Sequence, residues 1–230
     1  MTKKLIILDM DETLITLTYL NNNMSVFDSV SDFGDIHKMS PENVDKIFNS
    51  GLTGSYWNKD MMYVFVRPYL FPFLDFLFEN FDVGLWTAAE RKWMNYILDN
   101  VLNQYKNKFL FTWCREKCDL FGGKKNITCI LDEYNGMYKM NDIILIDDNF
   151  IAVTDWGFEN QLHIKEYCVW DFYYCGNCGN NFNTCILSKT HDNELKKIKY
   201  LLETYSDNIV FVCSEYKKLR NNTPIYCTFA

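Results

Sequence analysis

Three short apolar runs in this chain are each followed at once by groups able to do chemistry. Leu5-Ile6-Ile7-Leu8 runs into Asp9-Met10-Asp11-Glu12-Thr13, residues 81–86 end at Thr87, and residues 142–146 end at Asp147-Asp148. Four carboxylates drawn into one crevice repel and raise one another's pKa values, so a divalent cation is the natural counter-charge. An all-oxygen set suits Mg²⁺ better than zinc, which prefers His and Cys. A carboxylate beside such a cation can attack phosphorus and form an aspartyl-phosphate that water then resolves. The second aspartate, two residues on, would protonate the leaving oxygen and later activate water, provided its neighbours raise its pKa. One aspartate after one strand is more often a turn or helix N-cap; three strand ends together are much harder to explain that way.

The elements that must position these groups are legible as well. An unbroken apolar run of four or five residues reads as a strand buried on both faces. Between the runs lie helical patterns at 68–80, with Pro68 near its start, and at 88–102, with Trp93, Ile97 and Val101 at helical spacing. Strands alternating with helices predict an α/β fold with a central parallel sheet and right-handed crossovers, whose ligand sits beyond the carboxyl ends of the strands. A strand at 162–164 and a helix at 192–204 continue the scheme, and Ile209-Val210-Phe211-Val212-Cys213 reads as a last strand. The whole of 1–230 is expected to be one domain, with an insert or flap at 20–60 and a Cys-rich loop at 171–190. Trp57, Tyr56 and Tyr63 in or beside the first insert are candidates for a cleft wall, although aromatic residues are more often core.

Composition narrows the function classes. The 230 residues are 48% hydrophobic and 17% aromatic, enough apolar content to offset ordering entropy, which excludes a disordered chain. The formal charge of −7 argues against a general nucleic-acid binder, which needs a basic face. Locally the balance reverses: residues 103–125 hold Lys106, Lys108, Arg115, Lys117, Lys124 and Lys125 against Glu116 and Asp119, a surplus of +4. The longest apolar stretch, 69–78, is broken by Pro72 and Asp75 and falls short of the roughly 20 residues of a membrane span. Nine cysteines, an odd number in a chain of this size, fit reduced thiols in an intracellular setting, cytoplasmic or nuclear. Cys175-Gly-Asn-Cys178 resembles a zinc knuckle that Cys168 together with Cys185 or His191 would complete to four ligands, but a single CxxC is more simply a pair of reduced cysteines. His37 and His163 show no partner pattern.

The sequence Leu5-Ile-Ile-Leu-Asp9-Met-Asp11-Glu-Thr13-Leu-Ile resembles motif I of the haloacid dehalogenase (HAD) superfamily. Its DxDxT form is that of the Fcp/Scp-type phosphatases acting on the C-terminal domain of RNA polymerase II, the NLI-interacting-factor-like family. Val66-Arg67-Pro68-Tyr69-Leu70 is similar to that family's arginine-proline helix start, Trp86-Thr87-Ala88 to its motif II, and residues 143–150 to its motif IV.

The resemblance implies a three-layer Rossmann-like HAD fold and a Mg²⁺-dependent phosphatase for phosphoserine or phosphothreonine in a phosphoprotein or phosphopeptide. It implies Asp9 as nucleophile and metal ligand, and Asp11 as general acid/base that also offers its backbone carbonyl to the metal. Thr13 would support that loop at the substrate end, and Thr87 would hold a phosphate oxygen. Of the motif IV pair, Asp148 is the first choice as metal ligand, with Asp147 behind it. The family's motif III lysine neutralises the phosphoryl group; Lys125, 22 residues before Asp147, is preferred here to Lys124, Lys139 and the Lys117-Cys118-Asp119-Leu120 stretch. Arg115 is similar to a peptide-groove residue. Two other readings remain open: a HAD-type phosphatase for small metabolites or nucleic-acid ends, and a catalytically silent phosphate-binding scaffold.

Overall fold

Leu5–Leu8 carries no polar side chain, and such a run is stable only where both faces of a sheet are covered. In the computed structural model, which describes residues 4–20, 38–39, 62–149, 151, 159–167 and 192–222, it forms the central strand β1, buried throughout. β2 (Ile15–Leu20), β3 (Lys38–Met39) and β4 (Met62–Val66) follow, then helix α1 (Leu70–Asn80), β5 (Asp82–Trp86), α2 (Arg91–Asn100) and β6 (Phe111–Trp113). Two short helices, α3 (Arg115–Asp119) and α4 (Thr128–Glu133), lead to β7 (Ile143–Asp147) and β8 (Gln161–His163), and helices α5 (Glu194–Tyr205) and α6 (Ile209–Asn222) close the described chain.

The main sheet has the order β6-β5-β1-β7-β8 and is parallel at every pairing. Leu8 lies opposite Leu85 of β5 and Ile146 of β7, so the three strands end side by side. Alternation along the strands divides the core in two. Ile6, Leu8, Val83, Leu85 and Ile146 join Phe73 and Leu77 of α1, Met94 and Ile97 of α2, and Leu195 and Ile198 of α5 in one cluster. Leu5, Ile7, Ile143 and Leu145 pack instead with Cys118 of α3 and Ile130 of α4. Helices on both faces of a parallel sheet make the three-layer α/β architecture that the alternating pattern predicts. Gly84 makes room for the residue opposite it: a Cβ at this position would lie 2.3 Å from the Phe111 ring, which would have to shift.

A second sheet, β3-β2-β4, springs from the loop after β1, with β2 and β4 antiparallel from Ile15–Val66 to Tyr19–Met62. Nearly all of the expected insert at 20–60, and all of the Cys-rich loop at 171–190, lie outside the described residues, as do His37, Cys168 and His191. Among the described residues no helix is long and apolar enough to cross a membrane.

The last element departs from expectation: residues 209–213 are the first turn of α6, not a strand. Val212 and Tyr216, four apart, are buried, while Val210 and Phe211 are exposed at 44% and 37%. That is a helical stripe, which five apolar residues are too few to distinguish from a strand. The two crossover helices also start later than their patterns suggest. Tyr69 caps α1 in the left-handed region at φ 67°, and residues 87–89 are held in a turn by the Thr87 side chain before α2 begins.

Candidate active site

The shared strand ends set the distances. With Leu8 in register with Ile146, the Asp9 amide donates to the Ile146 carbonyl (2.9 Å), and the two carboxylates that follow the strands meet across the gap. Lys125 Nζ lies between them, donating to Asp9 Oδ1 and Asp147 Oδ2, both at 2.6 Å, with all three residues buried. The second Asp147 oxygen accepts the Asn149 amide (2.8 Å), so each oxygen of this carboxylate has a hydrogen-bond partner. Asp148 points elsewhere: its Oδ1 accepts the Thr13 hydroxyl (2.8 Å), and its amide donates back to Thr13 Oγ1 (3.1 Å). Carboxylate oxygens of Asp9, Asp147 and Asp148 lie within 4.8 Å of one another. Among the described residues, Oδ2 of Asp9 and Oδ2 of Asp148 accept no hydrogen bond.

Asp11 stands apart from this trio. Its Oδ1 accepts the Trp93 indole N–H (2.8 Å) and its Oδ2 the Thr87 hydroxyl (3.1 Å). Thr87 is anchored in turn: its amide donates to the Trp113 carbonyl of β6 (3.0 Å), and its Oγ1 accepts the Ala89 amide (3.0 Å). The loop carrying both aspartates turns at Glu12, in the left-handed region at φ 59°, and the Glu12 carbonyl accepts the Tyr167 amide (2.6 Å). Beneath it, the buried guanidinium of Arg67 donates to the Thr13 carbonyl (3.0 Å) and the Lys165 carbonyl (2.6 Å) and pairs with Asp192 (2.9 Å).

The electrostatics follow from too many carboxylates around one ammonium. Burial pushes the Asp9 carboxyl well above its ordinary range; Lys125 draws it back, while Asp147, Asp148 and Asp11 push it further up. Burial works against the charge of Lys125, yet Asp147 and Asp9 outweigh it and hold the ammonium firmly protonated. Burial raises Asp11, only partly offset by the Trp93 and Thr87 hydrogen bonds. Asp148 is pushed up to about 6, chiefly by burial, against the opposing Thr13 hydrogen bond. Lowering these values takes a further positive charge, and the donors on offer are all oxygens. The set therefore fits a hard divalent cation such as Mg²⁺, with Asp9 and Asp148 holding free oxygens for it and Asp147 occupied in orienting Lys125.

Of the residues singled out from sequence, Asp9, Asp11, Thr13, Thr87, Lys125, Asp147 and Asp148 converge here. Arg115 does not reach the carboxylates: its Nε donates to the Ala88 carbonyl (3.0 Å) and its guanidinium lies 3.6 Å from Glu90, on the loop after Thr87. The locally basic stretch is largely neutralised, since Lys106 pairs with Asp99, Lys117 with Glu133, and Lys125 is buried at the site. Three participants carried no sequence signal of a role. Trp93 reads as an apolar helix position, Asp192 as a helix start, and His163 as an ordinary surface or packing residue, although its Nε2 meets the Asp148 carbonyl at 2.7 Å.

Comparison with known proteins agrees with this geometry. A family model described as NLI interacting factor-like phosphatase matches residues 4–209. A CTD phosphatase-like protein of Invertebrate iridescent virus 3 is 28% identical over 215 residues, which cover 88% of this chain and 97% of that protein. One of the same description from Invertebrate iridescent virus 6 is 31% identical over 99 residues, 43% of this chain and 45% of its own. Among solved structures, Fcp1, an essential RNA polymerase II CTD phosphatase, superposes on 96% of this chain with a TM-score of 0.54 at 14% identity. A fission yeast Fcp1 variant bound to beryllium fluoride gives 0.50 at 16%. These are likenesses of fold, and this chain spans 65% and 62% of the length of those two.

Proposed function

The chain belongs to the NLI interacting factor-like phosphatase family, and from that premise we propose that it is a Mg²⁺-dependent phosphatase removing phosphate from phosphoserine and phosphothreonine of protein substrates through an aspartyl-phosphate at Asp9. One observation carries the reading. Two carboxylates two residues apart on one loop are held in opposite settings, Asp9 against an ammonium and Asp11 against neutral donors. Burial raises both carboxyls, but only Asp9 has a cation beside it and an oxygen open to a second, so with a metal bound its ionised, nucleophilic form is favoured, while Asp11, among neutral donors, keeps the proton of a general acid.

The residues act in sequence. Thr87 is fixed by β6 and the Ala89 amide; its hydroxyl, donated to Asp11 Oδ2 in the free protein, is released to a phosphoryl oxygen once Asp11 carries the acid proton, and the charge of Lys125 stabilises the negative charge that develops there. The Asp9 carboxylate forms the new bond to phosphorus as the bond to the leaving oxygen breaks, and that oxygen takes the Asp11 proton. Asp11, now ionised, accepts a proton from the water that releases phosphate from Asp9. When bound at Asp9 and Asp148, with the Asp11 carbonyl, Mg²⁺ supplies charge neutralisation that brings an anionic phosphate to a carboxylate-lined site. The free thiols of Cys114, Cys118, Cys129 and Cys213 fit a reducing, intracellular setting.

The decisive experiment is Mg²⁺-dependent hydrolysis of p-nitrophenyl phosphate, run beside a panel of phosphopeptides, sugar phosphates and nucleotides. Asp9→Asn is expected to lower kcat by at least about 10⁴-fold, and activity persisting in that variant overturns the nucleophile assignment. Peptide turnover no better than that of the small phosphates overturns the protein-substrate part and favours a metabolite phosphatase.

A further inference from the structure

The Asp11 carboxyl is near enough in sequence to Asp9 to join the carboxylate trio, yet it does not. Its oxygens are claimed from the side by Trp93 Nε1 at 2.8 Å and Thr87 Oγ1 at 3.1 Å. The two donors differ in kind. A hydroxyl donates or accepts, so Thr87 tolerates either protonation state of its partner. An indole N–H only donates, so the oxygen facing it must be an acceptor. When Asp11 serves as the acid of the proposed step, the oxygen facing the indole N–H has to remain the acceptor, which puts the transferable proton on Oδ2. The ring is itself held: it is half-buried on α2 and stacks on Tyr96 with centroids 5.8 Å apart and planes 8° from parallel. Its position is therefore set by the helix and not by the loop it restrains.

We infer that Trp93 is a positioning residue of the reaction: its indole N–H holds the Asp11 carboxyl out of the Asp9–Asp147–Asp148 cluster and presents Oδ2 as the acid for the leaving oxygen. The inference rests on the phosphatase reading above and extends it to a side chain that touches neither phosphate nor metal. In the step it serves, the P–O bond to the leaving group breaks, its electron pair stays on the leaving oxygen, and the Asp11 proton passes to that oxygen. The need for this proton depends on the leaving group. A nitrophenolate leaves readily without it, whereas an unsubstituted phenolate, more basic, depends on it.

The test compares p-nitrophenyl phosphate with phenyl phosphate, substrates of nearly equal size, in wild type and Trp93→Phe, which keeps an aromatic ring and removes the N–H. Trp93→Phe is expected to lower kcat on phenyl phosphate about tenfold more than on p-nitrophenyl phosphate, with KM little changed for either. Equal losses on the two substrates, or a loss confined to KM, overturn the inference. Thermal melting and near-ultraviolet circular dichroism check the fold, and Trp93→Leu, which also lacks the donor, carries the same comparison should the phenylalanine variant fail to fold. The two levels of failure separate. Equal losses in an active enzyme overturn the role of Trp93 alone, while a wild type inactive on both substrates overturns the phosphatase reading and this inference with it.

Discussion

Lys125 and Arg67 are both buried cations bound to carboxylates, with side chains 3% and 0% exposed, yet their surroundings are built oppositely. Arg67 faces one carboxylate, Asp192, and two backbone carbonyls, and Asp192 in turn accepts the Glu194 amide (3.0 Å). Charge and hydrogen-bonding capacity balance there. Lys125 faces two carboxylates at 2.6 Å, with Asp148 and Asp11 adding further negative charge nearby. A buried charge is thus no sign of function by itself. The balanced pair braces the fold, and the unbalanced cluster is where the proposed metal and phosphoryl group would bind.

Substitutions separate the two. Arg67→Met should cost about 3–5 kcal/mol of stability in urea denaturation, because it strips the half-buried Asp192 of its counter-charge and the Thr13 and Lys165 carbonyls of their donor; a loss below about 1 kcal/mol would erase the contrast. Lys125→Met should instead lower kcat about 10²–10³-fold, the scale of removing one preorganised electrostatic donor. Mg²⁺ should still raise the Tm of that variant at least as much as that of wild type, since the carboxylates then lack their internal cation; a Tm indifferent to Mg²⁺ would deny the cluster its metal. Thr13→Val, which removes both bonds to Asp148, should weaken Mg²⁺ binding about tenfold, read from the Mg²⁺ dependence of Tm.

The smallest effect lies at the edge of the Arg67 group. Burial works against the Glu194 carboxylate, but hydrogen bonds from Lys197 and Tyr216, with the charges of Lys197 and Arg67, hold its pKa below the ordinary 4.5. A carboxyl lowered by folding adds stability that is fully present above pH 4.5 and is lost as pH falls through the folded value. The stability gap between wild type and Glu194→Gln should therefore narrow on acidification below about pH 4.5, in Tm measurements at fixed ionic strength. A gap that widens would contradict the pairing.

The balanced group was the less legible of the two in sequence. β1, β5 and β7 announce themselves as apolar runs, and the carboxylates after them carry their chemistry in residue type and spacing. Lys125 was separable from Lys117, Lys124 and Lys139 only through its spacing to Asp147, in resemblance to a family pattern. Asp192 lies 125 residues from Arg67, and nothing local to either marks their pairing. Trp93 was hidden for another reason: its ring satisfies the helix periodicity, and only the tertiary fold aims its N–H at Asp11. The misread strand at 209–213 shows the same limit, since burial on one helix face emerges only when Val212 and Tyr216 are seen together.

The lateral match of Leu8 with Ile146 has a consequence for how this site can change over generations. Asp147 is the last residue of β7 and Asp148 lies in the bend that follows, and one turns to an ammonium and the other to a hydroxyl. The duplication is therefore not a spare copy. A single-residue insertion or deletion within β1 or β7 would exchange the two outlooks or misalign both. Tinkering with the carboxylate-bearing edge is confined to substitution, while changes in length must accumulate in the connections between strands.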